Sequence, residues 1–230
     1  MNKRIMSYPK FFNPYLKLNL NHINFPTHLS CKFQKSYNNL PLDPYIHTKT
    51  RYRRYANYDV QTINKYDVNP NFTIKHSGKN MFQQNVLDDR KKYREFKLIE
   101  NPCDPFLIEY IRYISKLLYF KTSFKKLNID VHQVRQITYP GIDSHNSPEG
   151  IHQDGSHYVV PALVFRRFNI RGGMSYIYDE NKKQINRDLL NKYDFTLFND
   201  EELYHYVSPI KYYESDGFEE YGYRDLLGLD

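Results

Sequence analysis

The sequence predicts a mainly β protein with flanking helices, folded as a sandwich or barrel of the jelly-roll kind. Two observations carry this. After Asp130 the chain breaks into short β-like runs divided by turn residues, with no helical period between them. Before Asp130 one segment, residues 104–120, shows a clear helical period. Strands that succeed one another without helices between them lack the crossovers a parallel sheet needs, so an antiparallel architecture follows.

The elements follow in chain order. Residues 1–35 are polar, irregular and punctuated by Pro9, Pro14 and Pro26. They are expected to form an N-terminal extension to a domain spanning 36–230. Leu40-Pro41-Leu42-Asp43-Pro44-Tyr45 reads as a turn, and the alternating run Arg51-Tyr52-Arg53-Arg54-Tyr55 as a strand with one wet face. Asp104 is a helix N-cap with Pro105 at the first helical position, and Leu107, Ile108, Ile111, Ile114, Leu117 and Leu118 form the stripe that packs on a sheet. Val131–Tyr139 and residues 158–168 are strands. Gly172-Gly173 signals a hairpin with Met174–Tyr178 as its return strand. Phe195–Phe198, Tyr204–Ile210 and Tyr223–Leu227 complete the set.

A chain of 230 residues is long enough for one sizeable domain with its own core. With 23 Tyr and no Trp, aromatic burial often brings a hydroxyl that needs a partner. Cys31 and Cys103 are the only cysteines, so no disulfide framework is implied and reduced thiols in a cytoplasm are expected. Met1–Phe12 lacks the apolar run of a signal peptide, and no stretch approaches the ~18 apolar residues of a membrane helix. Residues 1–100 carry 18 Lys and Arg against 7 Asp and Glu, whereas the remaining residues carry 15 against 19. A basic, Tyr-rich half suits a nucleic-acid surface, and equally a solvated basic face.

The chemistry centres on His152-Gln153-Asp154, answered downstream by His205 and Arg224. In a strand, residues i and i+2 share a side, so His152 and Asp154 can face one ion. Two imidazoles and a carboxylate hold iron(II) on one face and leave the other open. With 9 His and 16 Asp among 230 residues, about 0.6 such triplets are expected by chance, so the motif alone is weak. Its standing comes from the flanking Gly150 and Gly155, the β-like runs that follow, and His205 at the start of another run. His157 is a rival third ligand, read instead as a pocket-wall residue. Zinc with two His and a carboxylate is a formal alternative, but a structural zinc wants four N or S donors and both cysteines stand far off in sequence. Arg224 in a strand is commonly a surface ion pair, here with Asp225; alternatively its fork can take the distal carboxylate of a keto-diacid co-substrate. No Ser or Cys paired with His suggests a nucleophile.

The stretch Pro148–Gly155, then Arg167-Phe168-Asn169, Gly172-Gly173, Ser175, Tyr178-Asp179, His205–Ile210 and Tyr223-Arg224-Asp225, resembles the 2OG-Fe dioxygenase family that contains bacterial L-isoleucine 4-hydroxylase. The 40–45 and 51–55 segments resemble that family's N-terminal signature, so the likeness covers the chain from about residue 40. It implies a double-stranded β-helix (jelly-roll, cupin-like) core, with iron(II), 2-oxoglutarate and O2 as reactants and succinate and CO2 as by-products. It places His152, Asp154 and His205 as catalytic metal ligands and Arg224 as the 2-oxoglutarate anchor. The implied substrate is a small molecule, a free aliphatic L-amino acid, whose carboxylate needs a cation and whose amine needs an acceptor. Arg135 is the leading cation, with Arg166 and Arg167 competing; Glu149 and Asp143 are the candidate acceptors. A dioxygenase acting on protein or nucleic acid is an alternative, though nucleic-acid demethylases of this superfamily typically carry a second arginine where this chain has Asp230. A non-catalytic jelly-roll binding module is the reading from another class. Gly228 interrupts the final apolar run, so a short or frayed last strand is expected. The sequence leaves the oligomeric state open.

Overall fold

Period-two alternation organises the protein around one large sheet. A computed structural model describes residues 14–64, 69–83, 93–213 and 220–230; Met1–Phe12 lies outside them. The order is β1 (Tyr15–Asn19), α1 (Ser30–Lys35), β2 (Arg51–Thr62), β3 (Phe72–His76), β4 (Met81–Gln83), β5 (Tyr93–Glu95), α2 (Pro105–Thr122), β6 (Lys126–Thr138), β7 (Tyr158–Phe168), β8 (Ile170–Gly172), β9 (Met174–Tyr178), β10 (Gln184–Leu189), β11 (Asp194–Asn199), β12 (Tyr204–Val207), β13 (Ile210–Tyr212) and β14 (Gly222–Leu229). Seven strands pair in the order β1-β11-β7-β14-β6-β2-β3, every neighbour antiparallel. The smaller sheets are β10-β9-β12, β13-β8 and β4-β5.

The pleat of the large sheet sorts its side chains into two faces. One face presents Ala56, Tyr58, Val60, Ile129, Val131, Leu163, Phe165, Leu227 and Leu229 to the apolar stripe of α2. The other carries Val134, Ala162, Val164 and Leu226, packed with Leu190. At the far end Val159 and Phe198 meet Ile177 of β9 and Leu203. Helix α2 forms where the sequence predicts it. Asp104 Oδ1 accepts the Phe106 N–H at 3.0 Å, and Ser123 ends the helix in the left-handed region at φ 53°. No helix among the described residues is long and apolar enough to cross a membrane.

Four expectations are corrected. Residues 15–35 are not irregular: β1 pairs along its length with β11, and Leu20, Ile23, Phe25 and Phe33 are buried in the core beneath α2. Each such burial contributes about 1.5–3 kcal/mol. The widely spaced apolar residues of that segment form no period, so local pattern hides them. Gly172-Gly173 does not close a hairpin. The chain leaves β7 at Asn169, β8 pairs with β13, and β9 pairs with β10 and β12. The two glycines, at φ 79° and 68°, carry the chain from one small sheet to the other, and a Cβ on Gly172 would meet Pro209 O at 2.2 Å. The predicted strand 204–210 splits into β12 and β13 at Ser208-Pro209, because proline has no N–H for a ladder. Finally, β14 is neither short nor frayed. It runs to Leu229 at the centre of the large sheet, bonded on both sides, and Gly228 sits within it without a close contact.

Candidate metal centre

The three predicted donors meet. His152 and His205 form an isolated antiparallel bridge, each backbone N–H donating to the other's carbonyl at 3.0 and 2.9 Å. A directly bonded pair places the two side chains on one side, with ring centroids 4.3 Å apart. Asp154 lies just past the bridge, in a loop and not in a strand as the i, i+2 argument assumed. Its Oδ1 is 3.6 Å from His152 Nε2 and its Oδ2 3.4 Å from His205 Nε2. One donor atom from each residue falls within 4.8 Å of the others.

Surrounding groups fix which nitrogens face the centre. His152 Nδ1 lies 2.8 Å from Gly150 O, which makes Nδ1 the donor there and leaves Nε2 as the atom that can bind a metal once it gives up its own proton. His205 Nδ1 is buried, 3.7 Å from Asp200 Oδ1, and both atoms lack a hydrogen-bond partner. Asp200 Oδ2 accepts the Gly155 N–H at 2.8 Å, and its backbone carbonyl accepts from the Gln153 amide. Asp200 is therefore bonded to the motif loop and faces His205 without bonding it. The sequence reading missed it, since an acid next to a turn carries no distinguishing pattern.

Electrostatics suit a divalent cation. Burial opposes ionisation of Asp154, but the two imidazoles outweigh it and hold the carboxyl at about 2. Burial also works against a charged His152, yet its contact with Asp154 and the charge of Glu149 raise it to about 9. His205 is lowered to about 4 by burial and stands neutral. Burial and the Asp154 charge push Asp200 up to about 7. Two imidazoles and a carboxylate with one open face fit iron(II). Asp200→Asn, which keeps shape and loses the charge facing His205, is expected to weaken metal affinity about 10–100-fold, measured by calorimetric titration.

A cavity of about 110 Å³ opens beside the triad, with Arg53, Arg94, His132, Glu149 and Asp230 in its wall. Register explains this set. Arg53, Val134 and Leu226 are cross-strand partners, as are Tyr55, His132 and Gly228, so they share the face turned away from α2. The basic run 51–55 is thus not a wet face. Arg51 is buried against Asp43 at 2.7 Å, and Arg53 stacks on Phe96 and bonds His132 Nδ1. The Arg-x-Arg alternation was the available signal: it set both arginines on one face but not which way that face turned. His132 Nε2 lies 2.9 Å from Asp230 Oδ2.

Of the other candidates, Glu149 reaches the cavity, its Oε1 3.2 Å from His152 Nε2. Arg135 does not. It points to the α2 side and grips Asp225 with two bonds of 2.6 and 2.8 Å while stacking on Tyr223. Its neighbour in register, Arg224, faces the other way and is fully buried. His157, 85% exposed beside Glu201, lines a separate hollow of about 240 Å³ on the α2 side. Asp143 pairs with Lys211, and Arg166 lies over Phe168 and Tyr223, outside the cavity. Arg167 is not in the cavity wall either but stands beside Arg224.

Solved structures share this architecture. A protein designated IDO from Bacillus thuringiensis superposes with a TM-score of 0.69 at 19% identity, covering 94% of this chain and 88% of its own. A bsmA homologue from Methylobium petroleophilum gives 0.78 at 19% identity over 94% and 87%. The Fe(II)/α-ketoglutarate-dependent dioxygenase TqaL gives 0.67 at 15% identity over 94% and 82%. No curated protein sequence matches the chain significantly. The family model described as 2OG-Fe dioxygenase matches residues 34–230. This chain belongs to the 2OG-Fe dioxygenase family.

Proposed function

We propose that this dioxygenase hydroxylates a C–H bond of a free aliphatic L-amino acid, with His152, Asp154 and His205 holding iron(II) and Arg224 anchoring 2-oxoglutarate. Bound iron(II), 2-oxoglutarate and O2 together supply the oxidising chemistry, with succinate and CO2 as by-products. The chain's own residues do the rest. The imidazoles and Asp154 would hold the metal beside the cavity, and Val134 and Leu226 add apolar surface to a wall otherwise lined mainly by charged and polar side chains.

The observation that carries the amino-acid reading is a pair of opposite charges in one small cavity beside the triad. Arg53 offers a cation whose Nε is buried without a partner. Burial, together with Arg51, lowers it only to about 10, so it stays charged at neutral pH. Glu149 offers the acceptor for an ammonium group. Burial, with the charges of Asp154 and Asp130, pushes Asp230 well above the usual carboxylate range. A nucleic-acid substrate has less support, because the arginines at 51 and 53 face inward.

The test is anaerobic reconstitution with iron(II) followed by an O2 assay of the L-amino acids for stimulated succinate. An aliphatic amino acid should stimulate succinate formation, and its amide or decarboxylated analogue should not. Arg53→Gln should raise the KM for that amino acid about 10–100-fold while leaving the requirement for 2-oxoglutarate unchanged. If no free amino acid stimulates turnover, the substrate class is wrong.

A further inference from the structure

We infer that Arg167 is a second cation for the distal carboxylate of 2-oxoglutarate, working beside Arg224. This rests on the reading of Arg224 as that carboxylate's anchor. Arg224 and Arg167 are direct cross-strand partners on β14 and β7, so both side chains leave the same face of the large sheet. On β14 that face continues through Leu226 and Gly228, which line the metal cavity. Arg224 is the next position along it, roughly 6–7 Å beyond Leu226. A five-carbon dicarboxylate has that reach.

The two guanidinium groups converge. A Cβ built on Gly173 would lie 2.9 Å from Nη1 of Arg224 and 3.2 Å from Nη1 of Arg167, so both nitrogens flank one point of the backbone. Only a residue without a side chain, here at φ 68°, leaves room for both.

Neither cation has an anion among the described residues. Arg224 is fully buried and donates only to neutral acceptors. Nε and Nη2 reach Gln136 Oε1 at 3.2 and 2.6 Å, and Nη1 reaches Gly173 O at 3.2 Å. Three of its five N–H groups are thereby used, and one remains on each terminal nitrogen. Arg167 donates from Nη2 to Gly172 O at 2.6 Å, while its buried Nη1 has no acceptor. Two like charges side by side, Arg224 fully buried and Arg167 half-buried with its Nη1 out of solvent, are costly unless an anion joins them. Burial first, then Arg167, drags the Arg224 guanidinium down to about 9. A carboxylate with two oxygens and about four lone-pair sites can accept from both forks at once and offset both charges.

The experiment titrates manganese(II)-loaded protein calorimetrically with 2-oxoglutarate and with 2-oxovalerate, which has the same oxo-acid head but no distal carboxylate. Arg167→Gln should bind 2-oxoglutarate about tenfold to a hundredfold more weakly and 2-oxovalerate within about twofold of the parent protein. Arg167→Lys, which keeps the charge but not the fork, should lose about threefold to tenfold for 2-oxoglutarate alone. It decides the matter if the Gln variant does not accumulate. Unchanged manganese affinity reports that the fold is intact. Parent-like 2-oxoglutarate affinity in both variants would overturn the inference, as would equal losses for the two oxo acids. A parent protein that binds both oxo acids equally removes the Arg224 anchor, and Arg167's role with it.

Discussion

His205→Ala is expected to remove measurable iron-dependent turnover and to weaken iron(II) binding by more than about 100-fold. Loss of a ligand's outer partner typically costs about 10–100-fold in metal affinity, and loss of one of three donors exceeds that. The alanine also strands Asp200 Oδ1, which faces only His205 Nδ1 at the centre. His205 itself has no proton to displace, since burial lowers it to about 4. His152 does: although burial opposes its charge, Asp154 and Glu149 raise it to about 9. Protons and metal then compete for His152 below that pH. Iron affinity of the parent protein should therefore rise by roughly tenfold per pH unit from pH 7 toward 9, with one proton released on binding. Anaerobic calorimetry in buffers of different ionisation enthalpy measures both. Parent-like iron affinity in His205→Ala would sink the ligand assignment.

Gly222→Ala should be strongly destabilising for a single added methyl. Gly222 opens β14, and a Cβ there would sit 2.1 Å from Asn169 O, 2.8 Å from Asn169 C and 2.7 Å from Ile170 Cγ2. Two of those atoms are backbone, in the turn where Asn169 already holds φ 47°, so the neighbour cannot rotate aside. The other remedy is to move β14, which disturbs the central strand of the large sheet and shifts Arg224. Overpacking costs about 1–3 kcal/mol, and backbone clashes belong at the upper end. For a chain of this length about 3 kcal/mol lowers Tm by about 6–12 °C. Gly228→Ala is the control. Its Cβ would lie 3.4 Å from Pro161 O, an ordinary contact, and the cost should stay under about 1 kcal/mol. Thermal unfolding followed by circular dichroism compares the two. Equal Tm values for both variants would show that the turn at Asn169 yields readily.

Where chemistry rides on short-range pattern, the sequence was read well. The α2 cap at Asp104 and the strand from Tyr158 to Phe168 are local, and the structure has both where the sequence predicts them; the candidate donors His152, Asp154 and His205 gather, with Asp154 in a loop and not a strand. The Arg135 assignment failed for a definite reason. Arg135 and Asp225 form a cross-strand pair on the face covered by the N-terminal segment, while Gln136 and Arg224, one residue along, point to the other. A strand of mixed alternation does not tell its two faces apart, and a shift of one residue exchanges them. Arg51 and Arg53 were misread the same way, as wet when they turn inward.

By itself, then, the sequence determined the β-rich class, the main helix, which residues are candidate donors and the family they resemble, because period, capping and motif act within a few residues. Tertiary structure alone decided what those residues face. Pairing of strands far apart in the chain set His205 against His152, tucked Asp200 behind it, brought Arg53 and His132 to the cavity wall and put Arg167 next to Arg224. Register between distant strands is fixed by burial summed over the whole sheet, and no local stretch carries that sum.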